Sequence, residues 1–275
     1  MIKKTYLFLI FIVVTTGFSR AQSPQQLQQS NTYEPAQPFL FTANTLSPLT
    51  RGWSLSFTGG YGEHAVNPLG FNGLDQHFSM KGYLGARLTL LASLGMGFST
   101  GGGVHTLQQA EVIRDFIGGF TPLGFRLGAG LGARHEFNND NVVFSRITAA
   151  YDLRLWKVGA NLRLEKVFTE NRDGVDVIAS VGVHRHLAGQ LFGGIEAIGQ
   201  DIEGFWQPNE SEGGARLLVG PSLNYAPAGS RLSFSACGGP IIYATHSSVS
   251  AGQFAARDLP ASTGFTMKFN IGFRF

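Results

Sequence analysis

Two residues near the C-terminus have types and spacing that could support catalysis. His246 and Ser248 lie two positions apart, so on a strand they would share a face, with the imidazole as base for the hydroxyl nucleophile. Nucleophilic catalysis also needs a group that orients the base, and no motif in the chain supplies one. We therefore expect the start of a solvated loop here, and we assign no catalytic residue.

Metal binding is the second chemistry to weigh. His184 and His186 share a strand face, but zinc needs three or four ligands and no further cluster supports them, so a polar turn is the interpretation. The acidic, aromatic stretch 201–214 offers carboxylates that calcium accepts, without EF-hand spacing. We predict no metal and no cofactor, and an extracellular loop that exposes Asp201, Glu203, Trp206, Glu210 and Glu212.

Charged residues form the third feature, because they alternate with apolar ones along much of the chain. Successive side chains of a strand point to opposite faces, so one face is apolar and the other polar. The polar phase predicts these lumen-lining residues of a barrel: Arg126, Arg146, Asp152, Arg163, Glu165, Glu196, Arg216 and Lys268. The same phase adds Glu136 and the basic residues Lys81, Arg134, Arg154, Lys157, Arg231 and Arg274, so basic side chains outnumber acidic ones.

Period-two alternation begins at Trp53 and recurs to the end of the chain. It predicts twelve strands, near 52–62, 76–87, 90–101, 106–117, 123–137, 142–154, 156–168, 175–186, 189–203, 212–225, 231–246 and 263–275. The fourth lacks clean alternation, so ten or fourteen strands stay open. Short turns alternate with longer polar loops, which is typical of outer-membrane barrels with periplasmic turns.

The N-terminal segment is typical of an export signal. Lys3 and Lys4 precede an apolar run over residues 6–14, and Ser19-Arg20-Ala21 resembles a small-residue cleavage site. The run is too short to span a membrane as a helix. We predict a signal peptide over 1–21 with cleavage after Ala21, a periplasmic lead-in over 22–50, and a barrel over 51–275.

Composition narrows the functional classes further. Removal of 1–21 leaves 18 basic and 18 acidic residues, so the formal charge of +3 gives no support for a nucleic-acid partner. The single cysteine, Cys237, excludes an intramolecular disulfide, which fits the periplasm or outer membrane of a Gram-negative cell.

The last strand carries the clearest pattern. Phe265, Met267, Phe269, Ile271, Phe273 and Phe275 alternate with polar residues and glycine. This segment resembles the C-terminal strand of Gram-negative outer-membrane β-barrel proteins. In that family the barrel-assembly machinery reads the alternating apolar residues and the terminal Phe, which implies Phe273 and Phe275 as an assembly signal. The hairpin pattern extends the resemblance, loosely, to small transporter-like barrels.

The predicted fold class is therefore all-β: a transmembrane, antiparallel, up-and-down β-barrel of about twelve strands. A soluble sandwich is disfavoured because the polar face mixes charges with glycines, and a soluble lipocalin-like barrel would be apolar inside. Aromatic residues near the predicted strand ends would form interfacial girdles that contact the outer-membrane lipids.

Three functions remain. The first is passive passage of small polar or anionic solutes, because lumenal charge biases which ions pass. The second is a closed barrel with a structural or envelope-interaction role, since a barrel of this size can be filled by side chains. The third is a membrane lipid hydrolase. In it, His246 and Ser248 would correspond to the His-x-Ser pair that twelve-stranded outer-membrane phospholipases carry on one strand. We expect a non-enzyme.

Overall fold

A computed structural model describes residues 38–46, 52–99, 102–118, 123–168, 175–205, 215–244 and 263–275. Twelve strands are found in these ranges: β1 (Trp53–Glu63), β2 (Gly73–Gly85), β3 (Leu88–Ser99), β4 (Val104–Ile117), β5 (Gly124–His135), β6 (Asn141–Asp152), β7 (Trp156–Phe168), β8 (Val175–Ala188), β9 (Leu191–Gln200), β10 (Ala215–Tyr225), β11 (Leu232–Ala244) and β12 (Gly264–Arg274). A short 3₁₀ helix, Ile202–Phe205, follows β9. All twelve predicted strands, including the weak fourth one, are confirmed.

The strands close into one antiparallel barrel. Each strand pairs with its neighbours in chain order, and β1 pairs with β12. Closure leaves no strand edge, so backbone N–H and C=O groups along the sheet find partners within the protein. That is the condition for a β-structure to cross a hydrocarbon layer.

Alternation sends apolar residues outward and charged residues inward. Leu131 is 70% exposed and Leu94 is 61% exposed, whereas Glu196 and Arg216 are fully buried. A sandwich or lipocalin-like barrel would show the reverse. An apolar outer face around a polar interior is the arrangement of a barrel in lipid, so the predicted fold class is confirmed.

The sequence of strand β4 lacks clean period-two alternation because apolar residues also point inward. Leu107 and Ile113 point inward and are buried, in the same phase as Glu111 and Asp115. Apolar residues therefore occupy both faces of this strand.

The two ends of the barrel differ in their connections. A two-residue turn joins β2 to β3 with Ala86 and Arg87 at φ 47° and 63°, the conformation of a type I′ hairpin. Turns at this end are short, and the loop 64–72 between β1 and β2 lies at the other end. Following the outer-membrane pattern, we call these the periplasmic and extracellular ends.

One aromatic residue at the periplasmic end shows how the wall accommodates large rings. Trp53 lies against Gly82 on β2, and a Cβ there would be 2.3 Å from the indole. Trp156, Phe273 and Phe275 lie at the same end, as the sequence predicted for an interfacial girdle.

Several predicted features lie outside the described residues. They are the signal peptide 1–21, residues 22–37 and 47–50 of the lead-in, Trp206, Glu210 and Glu212 of the acidic loop, and the pair His246 and Ser248. In the part of the chain that the structure describes, no helix has both the length and the apolar character needed to cross a membrane.

Candidate functional site

The barrel interior contains a network of ion pairs on the β5–β7 wall. Arg134 pairs with Glu136 and with Glu165, the latter at 2.8 Å, and Arg163 contacts the other oxygen of Glu165 at 2.7 Å. On the same wall Arg126 lies 2.5 Å from Asp152. These residues are nearly inaccessible to solvent. Each charge is therefore held by a partner on its own or a neighbouring strand.

Arg146 connects this wall to β4. Its Nε and Nη2 donate to the two carboxylate oxygens of Glu111 at 2.7 and 3.0 Å, and its Nη1 donates to Asn161 at 3.1 Å. This bidentate geometry fixes the guanidinium plane more firmly than a single hydrogen bond would. The Phe144 ring lies about 6 Å from this guanidinium, under the same cluster of arginines.

All eight residues predicted to line the lumen do face the interior. Seven are buried and Lys268 is half-buried. The predicted excess of basic charge is wrong for the lumen as a whole, because eight acidic residues are buried inside: Asp75, Glu111, Asp115, Glu136, Asp152, Glu165, Asp176 and Glu196. Arg154 and Arg231, predicted inside, are exposed in periplasmic turns.

The acids that sequence reasoning missed lie where the alternation was weakest. Glu111 and Asp115 belong to β4, whose mixed faces hid its phase. Asp75 precedes the predicted start of β2, which begins three residues earlier than expected at Gly73. Asp176 is the second residue of β8.

A second polar network lies on the β8–β10 wall. Ser222 donates to Glu196 at 2.5 Å, so the Nε2–H of His184 donates in turn to Ser222 Oγ at 2.9 Å. Nearby, Gln200 accepts from Arg216 at 2.5 Å and donates to Asp176 at 2.8 Å. The predicted polar turn is wrong for His184, which lies in β8 within this buried relay. His186, also in β8, bonds the Gly189 carbonyl of the adjoining turn.

Residues 38–46, which we call the strap, lie inside the barrel. Glu196 Oε2 accepts the backbone N–H groups of Leu40 and Phe41 at 2.9 and 2.8 Å. Asn161 accepts the N–H of Ala43 at 2.7 Å and donates to its carbonyl at 2.8 Å. The strap and the barrel belong to one compact unit. Side chains of the wall thus replace the partners that a sheet would give this backbone.

Phe39 anchors the strap against two glycines. A Cβ at Gly182 would lie 2.4 Å from the Phe39 ring, and one at Gly159 would lie 3.0 Å from it. The ring is fully buried and its centroid is 4.5 Å from that of His184. A free periplasmic lead-in was expected here, and for residues 38–46 the structure differs, because these glycines leave room for a ring inside the lumen.

Apolar residues fill the lumen beside the strap. Phe41 packs in a buried cluster with Ala65 and Leu69 of loop 64–72 and with residues of β8–β11, including Ile178 and Cys237. The expectation of a wholly polar interior is therefore wrong for this side of the barrel. The same loop is held over the extracellular mouth by further contacts: Asn67 to Glu136, Tyr243 to the His64 carbonyl, and Phe71 against Phe137.

A cavity of about 290 Å³ remains beside the strap and the apolar cluster. It runs from Asn67 and Pro68 in the extracellular loop to Ser230 and Arg231 in the β10–β11 turn. Strap residues Leu40, Phe41 and Ala43 form part of its wall. Its lining contains a single carboxylate, that of Glu111, and seven basic side chains: Lys81, Arg134, Arg146, Arg163, Arg231, Lys268 and Arg274.

Hydroxyl groups make up much of the remaining cavity wall. They come mostly from β1, β2, β3 and β11: Ser54, Ser56, Thr58, Ser79, Ser93 and Ser233. Lys268 reaches in from β12, with its Nζ 5.0 Å from the Phe41 ring centroid. The cavity is therefore more basic than the lumen as a whole, because of the eight buried carboxylates only that of Glu111 belongs to its lining.

The fold of this chain is similar to that of a solved porin. The NanC porin in a rhombohedral crystal form superposes with a TM-score of 0.54 at 10% identity, over 80% of this chain and 100% of that one. The chain has the fold of a twelve-stranded outer-membrane β-barrel. That fold, with the apolar outer face, supports a location in the outer membrane.

Two further structures are similar at lower scores. The KdgM porin in complex with disordered oligogalacturonate gives a TM-score of 0.49 at 8% identity, over 81% and 99% of the two chains. Omp33 of Acinetobacter baumannii gives 0.46 at 10% identity, over 82% and 98%. No family model matches the sequence, and no curated protein matches it.

The described residues contain no cluster of three or more His, Cys, Asp or Glu side chains suited to a metal ion. Within the predicted acidic loop, Asp201 accepts a hydrogen bond from the Val177 N–H at 3.0 Å, and Glu203 lies in the short 3₁₀ helix. Asp201 thus holds the start of that loop against β8.

Proposed function

We propose that the barrel is a passive channel for small polar and anionic solutes, and that the solute follows the basic cavity. The observation that carries the proposal is the lining of this cavity, with seven basic side chains and one carboxylate between the extracellular loop and a periplasmic turn. Charge along a pore wall biases which ions pass. Hydroxyl groups facing the cationic side can replace part of a solute's hydration shell.

Lys268 is the side chain that tests this proposal best. Arg146 is neutralised by Glu111, and Arg134 and Arg163 share Glu165, so their charges are partly compensated by carboxylates of the barrel wall. Lys268 stands over the Phe41 ring at the boundary between strap and cavity, within electrostatic reach of Asp75 and Glu196 but without an ion pair among the described residues. Because the lumen as a whole holds about equal numbers of acids and bases, we expect a moderate preference for anions.

The experiment compares ion selectivity of Lys268→Glu with that of the unsubstituted protein. In a planar bilayer under a salt gradient, the unsubstituted channel should show a reversal potential of anion-selective sign, and Lys268→Glu should shift it toward cations. The matched control is Lys166→Glu, an outward-facing residue near the extracellular end of β7. An equal shift in both variants, or none in either, would contradict a path past Lys268.

A second candidate, a closed barrel with a role in the envelope, is favoured by a different observation. The strap, the apolar cluster and loop 64–72 fill the β8–β11 side, and the cavity that remains measures only about 290 Å³. Absence of conductance both in the unsubstituted protein and in a variant with a released strap would favour this candidate. The loop that begins at Asp201 would then be its contact surface.

We also propose that the last strand directs membrane assembly. Phe273 and Phe275 point outward on β12, with 43% and 57% of their surfaces exposed, so their rings are available to a partner before the barrel closes. The resemblance of this strand to those of Gram-negative outer-membrane barrels implies the barrel-assembly machinery as that partner. A delay in insertion when Phe275 is replaced by Ala, and none when Phe78, an outward-facing ring of β2 that is 55% exposed, is replaced, would support this role.

A further inference from the structure

We propose that the periplasmic end of the barrel binds the anionic phosphate headgroups of phospholipids through an arginine face on β2–β8. The face consists of two groups near the periplasmic turns: Arg87 and Arg114 on β2–β4, and Arg154 and Arg185 on β6–β8. Arg114, Arg154 and Arg185 are exposed outside the lumen, and Arg87 is half-buried in its turn, within electrostatic reach of Asp115. The inference concerns the outer surface and holds whether or not the lumen conducts.

One part of the arginine face is built around Phe116. Arg114 points outward from β4, and its guanidinium carbon lies 5.9 Å from the Phe116 ring centroid. Arg87, in the β2–β3 turn, donates to the Phe116 carbonyl at 3.2 Å. The Phe116 ring is 58% exposed, so it belongs to the lipid-facing belt. Both arginines thus lie where the apolar belt ends.

The other part is built around Trp156. Arg185 on β8 is paired across the strands with Trp156 on β7, and its guanidinium carbon lies 5.6 Å from the indole centroid. Arg154 is exposed in the turn that leads into β7. Tryptophan is enriched at the boundary between hydrocarbon and headgroups. The stacked guanidinium is therefore held at headgroup depth.

The described acidic residues lie elsewhere, so the outward-facing surface at the periplasmic end carries only positive charge. Eight of the described acidic residues lie inside the barrel. The remaining four, Glu63, Asp140, Asp201 and Glu203, lie at the extracellular end, where the outward-facing base is Lys166. Among the described residues no acidic side chain points outward at the periplasmic end, and none forms an ion pair with Arg114, Arg154 or Arg185.

These observations identify the partner by its chemistry. A guanidinium presents a planar fork of donors that matches phosphate oxygens, and stacking on an aromatic ring leaves that fork free. The partner must approach beside the apolar belt, which the headgroup of a phospholipid in the periplasmic leaflet does. A basic residue close to an anionic membrane surface gains about a fivefold enrichment, the ratio equivalent to about 1 kcal/mol.

The test uses Trp156 as the reporter in the full chain, with Trp53→Phe and Trp206→Phe to remove the other indoles. Folded protein is placed in phosphatidylcholine vesicles that contain either brominated phosphatidylglycerol or brominated phosphatidylcholine at the same mole fraction. Bromine quenches only nearby indoles, so the two quenching curves give the relative association of the two headgroups with this face. We expect the anionic lipid to be favoured about fivefold or more.

Matched substitutions separate a local site from general charge attraction. Arg185→Gln should lower the preference about fivefold, Arg154→Gln should lower it in the same direction, and Lys166→Gln on the same strand as Trp156 should leave it unchanged. A second arm adds inorganic phosphate at constant ionic strength, which should not displace the lipid.

Three results would overturn the proposal. They are equal quenching by the two brominated lipids in the unsubstituted arginine face, an equal loss of preference in Lys166→Gln, or displacement of phosphatidylglycerol by inorganic phosphate. The last would indicate a soluble phosphate ligand in place of a membrane lipid. Retention of the heat-dependent electrophoretic shift of a folded barrel by each variant keeps the comparison valid.

Discussion

Release of the strap by Phe39→Ala is the most informative perturbation of the lumen. The Phe39 ring is fully buried and fits the space left by Gly159 and Gly182, so truncation removes an anchor and leaves a cavity. Such Phe→Ala changes cost about 3–5 kcal/mol. Since about 1.4 kcal/mol is a factor of ten, the equilibrium between docked and released strap should shift toward release by about 10²- to 4 × 10³-fold.

Cys237 provides a natural reporter of that release. It is the only cysteine of the chain, it is 3% exposed, and it packs in the same cluster as Phe41. Phe39 is not part of that cluster, so Phe39→Ala exposes the thiol only if the strap leaves as a unit. The assay is the rate at which a water-soluble thiol reagent modifies Cys237 in the folded, membrane-inserted protein.

The strap hypothesis predicts a modification rate at least about 10²-fold faster in Phe39→Ala than in the unsubstituted protein, in line with the shift in docking. Phe98→Ala serves as the matched control, because that ring points outward from β3 and is 40% exposed. An unchanged rate in Phe39→Ala, with the barrel still folded, would refute the view that Phe39 holds the strap. A faster rate in Phe98→Ala as well would indicate loosening of the barrel.

Three further predictions follow from the same contacts. Gly182→Ala places a Cβ 2.4 Å from the Phe39 ring and should speed Cys237 modification as Phe39→Ala does, whereas Gly59→Ala, whose Cβ would meet no atom closer than 3.9 Å, should not. Glu165→Gln removes the carboxylate 2.7 Å from Arg163 and should lower the free energy of unfolding by about 3–5 kcal/mol, measured by urea titration in lipid, and an unchanged midpoint would show that other groups compensate. Phe275→Ala should slow insertion into membranes that contain the assembly machinery and leave insertion into pure lipid unaffected; equal effects in both would argue against a recognition signal.

The wall of the barrel could be predicted from the sequence because one face of each strand contacts lipid and the other faces the lumen. Leu131 meets lipid and Arg134 meets the lumen wherever their partners lie, so alternation alone gives the phase. Alternation did not reveal the phase of β4, because Ile113 faces inward beside Glu111. It failed again at strand starts, where Asp75 and Asp176 stood at the limits of the periodic signal. Those omissions produced the false excess of basic charge.

The strap could not be predicted in the same way, because its contacts are made by residues far away in the chain. Its backbone bonds to Glu196 and Asn161, more than a hundred residues away, and nothing in the local sequence encodes such partners. One usable signal did exist. Gly159 and Gly182 are opposite each other on adjacent strands and both face the lumen, which marks a place where the wall leaves room for a ring.

The most direct test of the proposed channel is the single-channel current of the folded full chain in a planar bilayer under a salt gradient. The basic lining of the cavity predicts discrete steps with a reversal potential of anion-selective sign, and larger steps in Phe39→Ala as the strap releases. Folded, inserted protein that carries no current in either form would contradict a solute path through this barrel.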